Sequence, residues 1–179
     1  KMLSEIGFEE IIIKKVIVGK KGGPEAAARE ARYKALEELR LKTKSNFIVL
    51  GHTASDQAET VLLGLVRGSG AKSLSGMATR TGYLLRPLLA IERKTTEEFC
   101  KDSGLKFWSD PQNKEPKYLR VLIRKTILPF LEKQLGGSVA KSLIRTSDQL
   151  REDGQYLDSE ANKKYLKLAK ASGSTVSFD

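Results

Sequence analysis

Asp56 and Glu59 stand three residues apart, where an apolar run, Phe47-Ile48-Val49-Leu50, gives way through Gly51 to a helix-forming stretch. In the first turn of a helix that spacing puts both carboxylates on one face. Two hard, anionic groups so placed can clamp an ammonium group or a magnesium ion. The spacing also has a plainer meaning, because Asp56 as N-cap with Glu59 three residues on makes a capping-box-like start. Taken alone, the local sequence favours the cap. His52, the sole histidine of the chain, ends the same strand and carries the same choice between a structural and a catalytic role. Arg120 and Arg124 lie four apart and share one helix face, which suits an anchor for phosphates.

These groups need elements to position them. Phe8 to Val18 is rich in Ile and Val and reads as a strand. Pro24 sits where a helix begins, and Glu25 to Leu41 holds strong helix formers with apolar positions at Tyr33, Leu36, Leu39 and Leu41. Phe47 to Leu50 reads as a buried parallel strand, and Asp56 to Arg67 as a helix closed by Gly68 and Gly70. Tyr83–Leu85 and Leu88–Ile91 are strand-like on either side of Arg86-Pro87, and a short helix capped at Thr95 or Thr96 runs to Asp102. Ser109 to Lys117 reads as a polar loop. Tyr118 to Leu135 is helical, with a kink or break expected at Pro129. A charged helical stretch opens at Ser138, with an interruption expected near Gly154, and runs to about Ala171. Alternating strands and helices imply parallel pairing in an α/β layered domain, followed by helices. The boundary is expected near residue 105, giving units of residues 1–105 and 106–179.

Among 179 residues, 32 Lys and Arg face 22 Asp and Glu, a net charge of +10. Such an excess favours polyanions through counterion release, and equally serves solubility. The one cysteine, Cys100, excludes an internal disulfide and any zinc or iron–sulfur site built from several cysteines. No apolar run is long enough for a membrane helix, and Glu5, Glu9 and Glu10 interrupt the only early apolar stretch. A cytoplasmic setting fits these features.

The run His52-Thr53-Ala54-Ser55-Asp56-Gln57-Ala58-Glu59-Thr60-Val61, with Arg67-Gly68-Ser69-Gly70 and Gly76-Met77 after it, closely resembles the second signature of tRNA(Ile)-lysidine synthetases. The chain's other blocks line up in the family's order: Glu25 to Tyr33, Arg86-Pro87-Leu88-Leu89, Asp110-Pro111-Gln112-Asn113, and Tyr118 to Arg124 running on to Ile127-Leu128-Pro129. Five ordered motifs over roughly residues 1 to 150 are far more specific than one short pattern. The resemblance implies part of a parallel-sheet N-type ATP pyrophosphatase domain, adenine nucleotide alpha hydrolase-like, followed by a helical segment. It implies an ATP-dependent ligase that adenylates the wobble cytidine of an isoleucine tRNA with a CAU anticodon, after which L-lysine displaces AMP. It places lysine at Asp56 and Glu59, catalysis at Arg124 and His52, and phosphate, nucleotide or tRNA contacts at Arg29, Arg32 and Arg120. ATP is then a substrate, with Mg²⁺ on its phosphates and no protein-built metal site. The oligomeric state stays open, a homodimer among the options.

Two departures matter. The family's Ser-Gly-Gly-x-Asp-Ser loop does not occur in these residues, and Gly22-Gly23 does not replace it. The chain therefore reads as an internal piece, expected to fold poorly and lack ligase activity alone. Val121 and Leu122 also stand where many members carry Asn and Arg. Two other readings remain. One is a tRNA 2-thiolation enzyme of the same superfamily, which ordinarily needs paired cysteines; the other is a basic RNA-binding remnant without catalysis.

Overall fold

A computed structural model describes residues 2–19, 23–107, 119–172 and 175–178. Gly22, Trp108, the polar loop 109–117 with its Asp110–Asn113 block, and Tyr118 lie outside the described residues.

After the short helix α1 (Met2–Glu5), the first long element is α2 (Pro24–Lys42), with Pro24 at its start. Pro there has a φ already set for a helix and lacks only an N–H that would go unbonded anyway. Strand β1 (Ile48–Val49) leads into α3 (Ala54–Val66), and Ala54, Ala58, Val61 and Leu63 bury its inner face. A short helix α4 (Ala71–Leu74) follows, then β2 (Arg80–Thr81) and β3 (Leu84–Leu85). The sheet order is β1-β3-β2. β1 and β3 run parallel, Ile48 opposite Leu84 and Val49 opposite Leu85, whereas β2 is antiparallel to β3. This is the expected α/β layer, with helices following.

Helix α5 (Arg93–Asp102) and α6 (Leu119–Leu122) come next. A π-helical turn, Ile123–Ile127, then joins α6 to α7 (Leu128–Leu135). The break expected at Pro129 takes this form. Pro129 has no N–H to give the carbonyl of Lys125, and its ring crowds that carbonyl. The Leu128 N–H instead reaches the Ile123 carbonyl, five residues back. Helix α8 (Val139–Leu168) is 30 residues long and packs across α3, α4 and α7. A hairpin of β4 (Ala169–Ser172) and β5 (Thr175–Phe178) completes the described chain.

Four expectations are corrected. Phe8 to Val18 forms no strand: Ile13 is 89% and Ile17 97% exposed, and no described residue pairs with the segment. β-branched composition favours an extended chain, but a strand also needs a hydrogen-bonding partner and a covered face. Its described tie to the rest is the Lys14–Glu38 ion pair onto α2. Leu88–Ile91 is a turn, because the Ile91 N–H closes back on the Leu88 carbonyl at 2.9 Å. Gly154 does not interrupt α8, since one interior glycine costs only about 1 kcal/mol. Finally, the caps are offset: Thr53, not Asp56, caps α3, and Glu92, not Thr95 or Thr96, caps α5.

Candidate functional site

The parallel pairing of β1 with β3 brings two chain segments out of the sheet side by side. The Leu50 N–H bonds the Leu85 carbonyl at 2.8 Å, so His52 and Arg86 emerge from adjacent strand ends. Ligands of open α/β sheets bind at such carboxyl ends.

On the α3 side lies a network of four charges. The Thr53 amide and hydroxyl both donate to Asp56 Oδ2, at 2.8 and 2.7 Å. Asp56 is thus the third residue of the helix, reaching back to its cap. Arg93 Nη2 donates to the other oxygen, Oδ1, at 2.8 Å, and Arg124 Nη2 stands 3.9 Å from it. Arg124 grips Glu59 with two bonds, Nε to Oε1 at 2.6 Å and Nη2 to Oε2 at 3.2 Å. The Glu59 side chain is 1% exposed and that of Asp56 12%, against 27% for Arg93 and 29% for Arg124.

Two full negative charges so far out of water require partners, and the two guanidiniums supply them. Burial pushes the Asp56 carboxyl up, but the two Thr53 bonds and Arg93 outweigh it and hold it below the usual aspartate range. The Arg124 guanidinium is raised, first by its bonds to Glu59. Asp56 is therefore ionised at neutral pH, and Arg124 faces both carboxylates. The acidic pair is at once a cap and an ion-pair centre, so the two readings of the sequence are not exclusive.

Beside this network lies a cationic cluster. Tyr33 on α2 carries Arg29 over its ring at 4.7 Å and Arg32 at 5.6 Å. The Arg29 guanidinium is lowered by loss of solvent and then by the charges of Arg120, Arg32 and Arg86. His52 is held below its ordinary 6.5, first by burial and then by Arg86, Arg29 and Arg32, with Asp56 pulling the other way. His52 is accordingly neutral near pH 7. Arg86 is 6% exposed and spends Nη1 on the Ala78 carbonyl at 2.8 Å. Among the described residues, Tyr33 Oη, His52 Nδ1 and Arg86 Nε are the buried side-chain polar atoms that lack a hydrogen-bond partner. Buried polar groups are rarely left so, and here all three sit with the same cations.

The seven sequence-derived site residues fall into these two groups. Asp56, Glu59 and Arg124 meet directly; His52, Arg29, Arg32 and Arg120 lie within electrostatic reach of one another or of Arg86. The charge of Arg120 is felt at Arg29, whereas Arg124, in the π turn, bonds Glu59. Val121 is core, 6% exposed. Arg93, Arg86 and Gln57 were not singled out as site residues. Gln57 clamps the Gly76–Met77 turn onto α3, with Nε2 to the Met77 carbonyl at 2.9 Å and the Met77 N–H to Oε1 at 2.8 Å. Thr53 was legible, since Thr-x-x-Asp is a capping pattern; nothing local marks Arg93.

An α/β layer with parallel strand ends, a capped acidic pair on one side and clustered arginines on the other defines a class of ligand-binding α/β domain. Residues 4–131 match the PP-loop domain, and the chain belongs to that family. Among curated relatives, the tRNA(Ile)-lysidine synthase of Leifsonia xyli subsp. xyli is 53% identical over 156 residues, 87% of this chain and 47% of that protein. That of Thermobifida fusca is 48% identical over 162 residues, 90% of this chain and 50% of that protein. That of Streptomyces coelicolor is 44% identical over 174 residues, 96% and 49% respectively. The chain spans about half the length of the curated relatives it matches. Among solved structures, the U34-tRNA thiolase NcsA from Methanococcus maripaludis, with its 4Fe-4S cluster, shares the fold. Its TM-score is 0.57 at 23% identity, over 76% of this chain and 46% of that one. Among the described residues no helix is long and apolar enough to cross a membrane.

Proposed function

We propose that these residues are part of a tRNA(Ile)-lysidine synthase, a cytoplasmic ligase that uses ATP to adenylate the wobble cytidine of an isoleucine tRNA with a CAU anticodon and then joins L-lysine to it. The observation that carries this is the 44–53% identity to enzymes of that name over most of the chain. The opposite charges of the two neighbouring groups support it. Asp56 and Glu59 suit a substrate bearing ammonium groups, whereas His52, Arg29, Arg32, Arg86 and Arg120 suit phosphates. Adenylation builds negative charge at the α-phosphate, and guanidiniums stabilise it best when already fixed in place. A neutral His52 can donate one hydrogen bond to a phosphate oxygen without adding charge.

Mg²⁺ enters this reading on the ATP phosphates, as part of the substrate. The described residues contain no group of three or more His, Cys, Asp or Glu that would hold it, and arginines already engage both site carboxylates. No step is therefore assigned to a protein-held metal. We take residues 1–105 as the nucleotide-handling part and 106–179 as the helical extension, whose Arg124 reaches back to complete the lysine site.

The test follows labelled lysine into an isoleucine tRNA transcript with ATP, using the full-length protein that carries these residues. Incorporation should collapse in Asp56→Asn and in Glu59→Gln, with both variants folded by circular dichroism. A native protein that incorporates no lysine would refute the proposal.

A further inference from the structure

We propose that Arg93 reads the α-carboxylate of the amino-acid substrate, leaving Asp56 to the substrate's α-ammonium as it does so. The inference rests on the lysine-binding reading above and assigns which end of the amino acid this site holds.

The case begins with the oxygens that remain. Asp56 Oδ2 already accepts two bonds from Thr53, and Arg124 holds both oxygens of Glu59. Asp56 Oδ1 instead takes one hydrogen bond from a guanidinium that makes no second bond to that carboxylate, Arg93 Nη2 at 2.8 Å, with Arg124 no closer than 3.9 Å. An ammonium group arriving at the acidic pair must take this position. Asp56, Glu59, Arg93 and Arg124 together carry no net charge. A cation added to them leaves a charge in a site largely removed from water, which is costly. Moving one guanidinium aside avoids that cost.

Of the two arginines, Arg93 is the one built to move. Arg124 is fixed by two bonds to a buried carboxylate, whereas Arg93 makes its one described side-chain bond through Nη2. It is the first residue of α5, and its backbone N–H is held by Ser55 Oγ at 3.3 Å. The backbone thus stays against α3 while the long side chain changes direction. Once displaced, its planar fork of donors matches a carboxylate. An α-amino acid carries ammonium and carboxylate on one carbon, so the carboxylate arrives beside the guanidinium that its ammonium has displaced. The head group is neutral overall, and the network keeps zero net charge. The distal amine of lysine is left clear of the acidic pair and available as the nucleophile. A diamine or an ester offers the ammonium without the carboxylate and leaves Arg93 unpaired.

The experiment compares L-lysine, L-lysine methyl ester and 1,5-diaminopentane as substrates of the full-length protein with ATP and tRNA. Each is measured with the native enzyme, Arg93→Gln and Arg93→Lys. A charge-assisted pair predicts that the native enzyme prefers lysine to either analogue by about 10- to 100-fold in kcat/KM. In Arg93→Gln that preference should fall to within a few-fold of unity, chiefly through a raised KM for lysine, and Arg93→Lys should restore part of it. If Arg93→Gln weakens lysine and the methyl ester equally, Arg93 only supports Asp56 and the inference is overturned. An unchanged preference overturns it as well. If the native enzyme uses no lysine at all, the lysidine reading itself fails; lysine use without discrimination sinks only the role of Arg93.

Discussion

Glu59→Gln is the most telling perturbation of the network. Its carboxylate is 1% exposed and takes both bonds from Arg124, at 2.6 and 3.2 Å. Removing one partner of a buried ion pair costs about 3–5 kcal/mol, because the other charge stays behind without compensation. Arg124 is 29% exposed and Asp56 Oδ1 stands 3.9 Å away, so water and that second carboxylate recover part of the loss. The expected destabilisation is about 2–3 kcal/mol, read as a shift in the urea midpoint. Arg124→Met should cost a similar amount, since it leaves Glu59 charged and buried. The double variant Glu59→Gln/Arg124→Met should lie within about 1 kcal/mol of either single, because each change removes the reason the other is costly. Near-additive losses, with a coupling below about 0.5 kcal/mol, would refute the claim that these two side chains neutralise one another.

Three further outcomes follow from the same geometry. Asp56 is more acidic folded than unfolded, so its stabilisation is complete above its ordinary 3.8 and is lost as pH falls through the lower folded-state value. The stability gap between native and Asp56→Asn should therefore persist to about pH 4 and close only below it; closure by about pH 5 would contradict the Thr53 and Arg93 bonds. His52 is depressed instead, so protonation favours the unfolded chain, and stability should fall as pH drops below 6.5. As the sole histidine, it gives one imidazole resonance whose midpoint should lie under 6.5 and rise on adding inorganic triphosphate; a midpoint at or above 6.5 counts against the cationic cluster. Gly76 adopts φ +63°, and a Cβ there would stand 2.9 Å from the Gln57 amide. Gly76→Ala should cost about 2–3 kcal/mol in thermal unfolding, part strain and part lost Met77 bonds, and native-like stability would show that the clamp is slack.

How much of this could be read from the chain depended on the range of the interaction. Pro24, the apolar face of α3 and the approach of Phe47–Leu50 to Gly51 are local signals, and the elements formed within a few residues of the expected places. Phe8 to Val18 failed because strand formation is decided by a neighbour, and no described strand lies beside it. Gly154 failed in the opposite sense: α8 continues through a residue that locally disfavours helix, because one interior glycine costs only about 1 kcal/mol. The offset at Thr53 came from reading Asp56 and Glu59 as one capping pair. The cap uses Thr53 and Asp56, which leaves Glu59 buried and in need of a distant cation. That cation, Arg124, lies 65 residues away, and Arg93 lies 37 residues from Asp56. No spacing rule reaches so far; only the resemblance linked Arg124 to the acidic pair, and nothing linked Arg93.

Arg124 serves that distant carboxylate from within the π turn. Residues 120 and 124 on an ideal α-helix differ by four positions and point nearly the same way. In this structure Arg124 closes on Glu59 while the charge of Arg120 is felt at Arg29. Pro129 enforces the widening, because a regular α-helix there would need the N–H that proline lacks. Local π geometry is often retained at functional sites, and here it lies in the short helical stretch from which both the acidic pair and the cationic cluster draw an arginine.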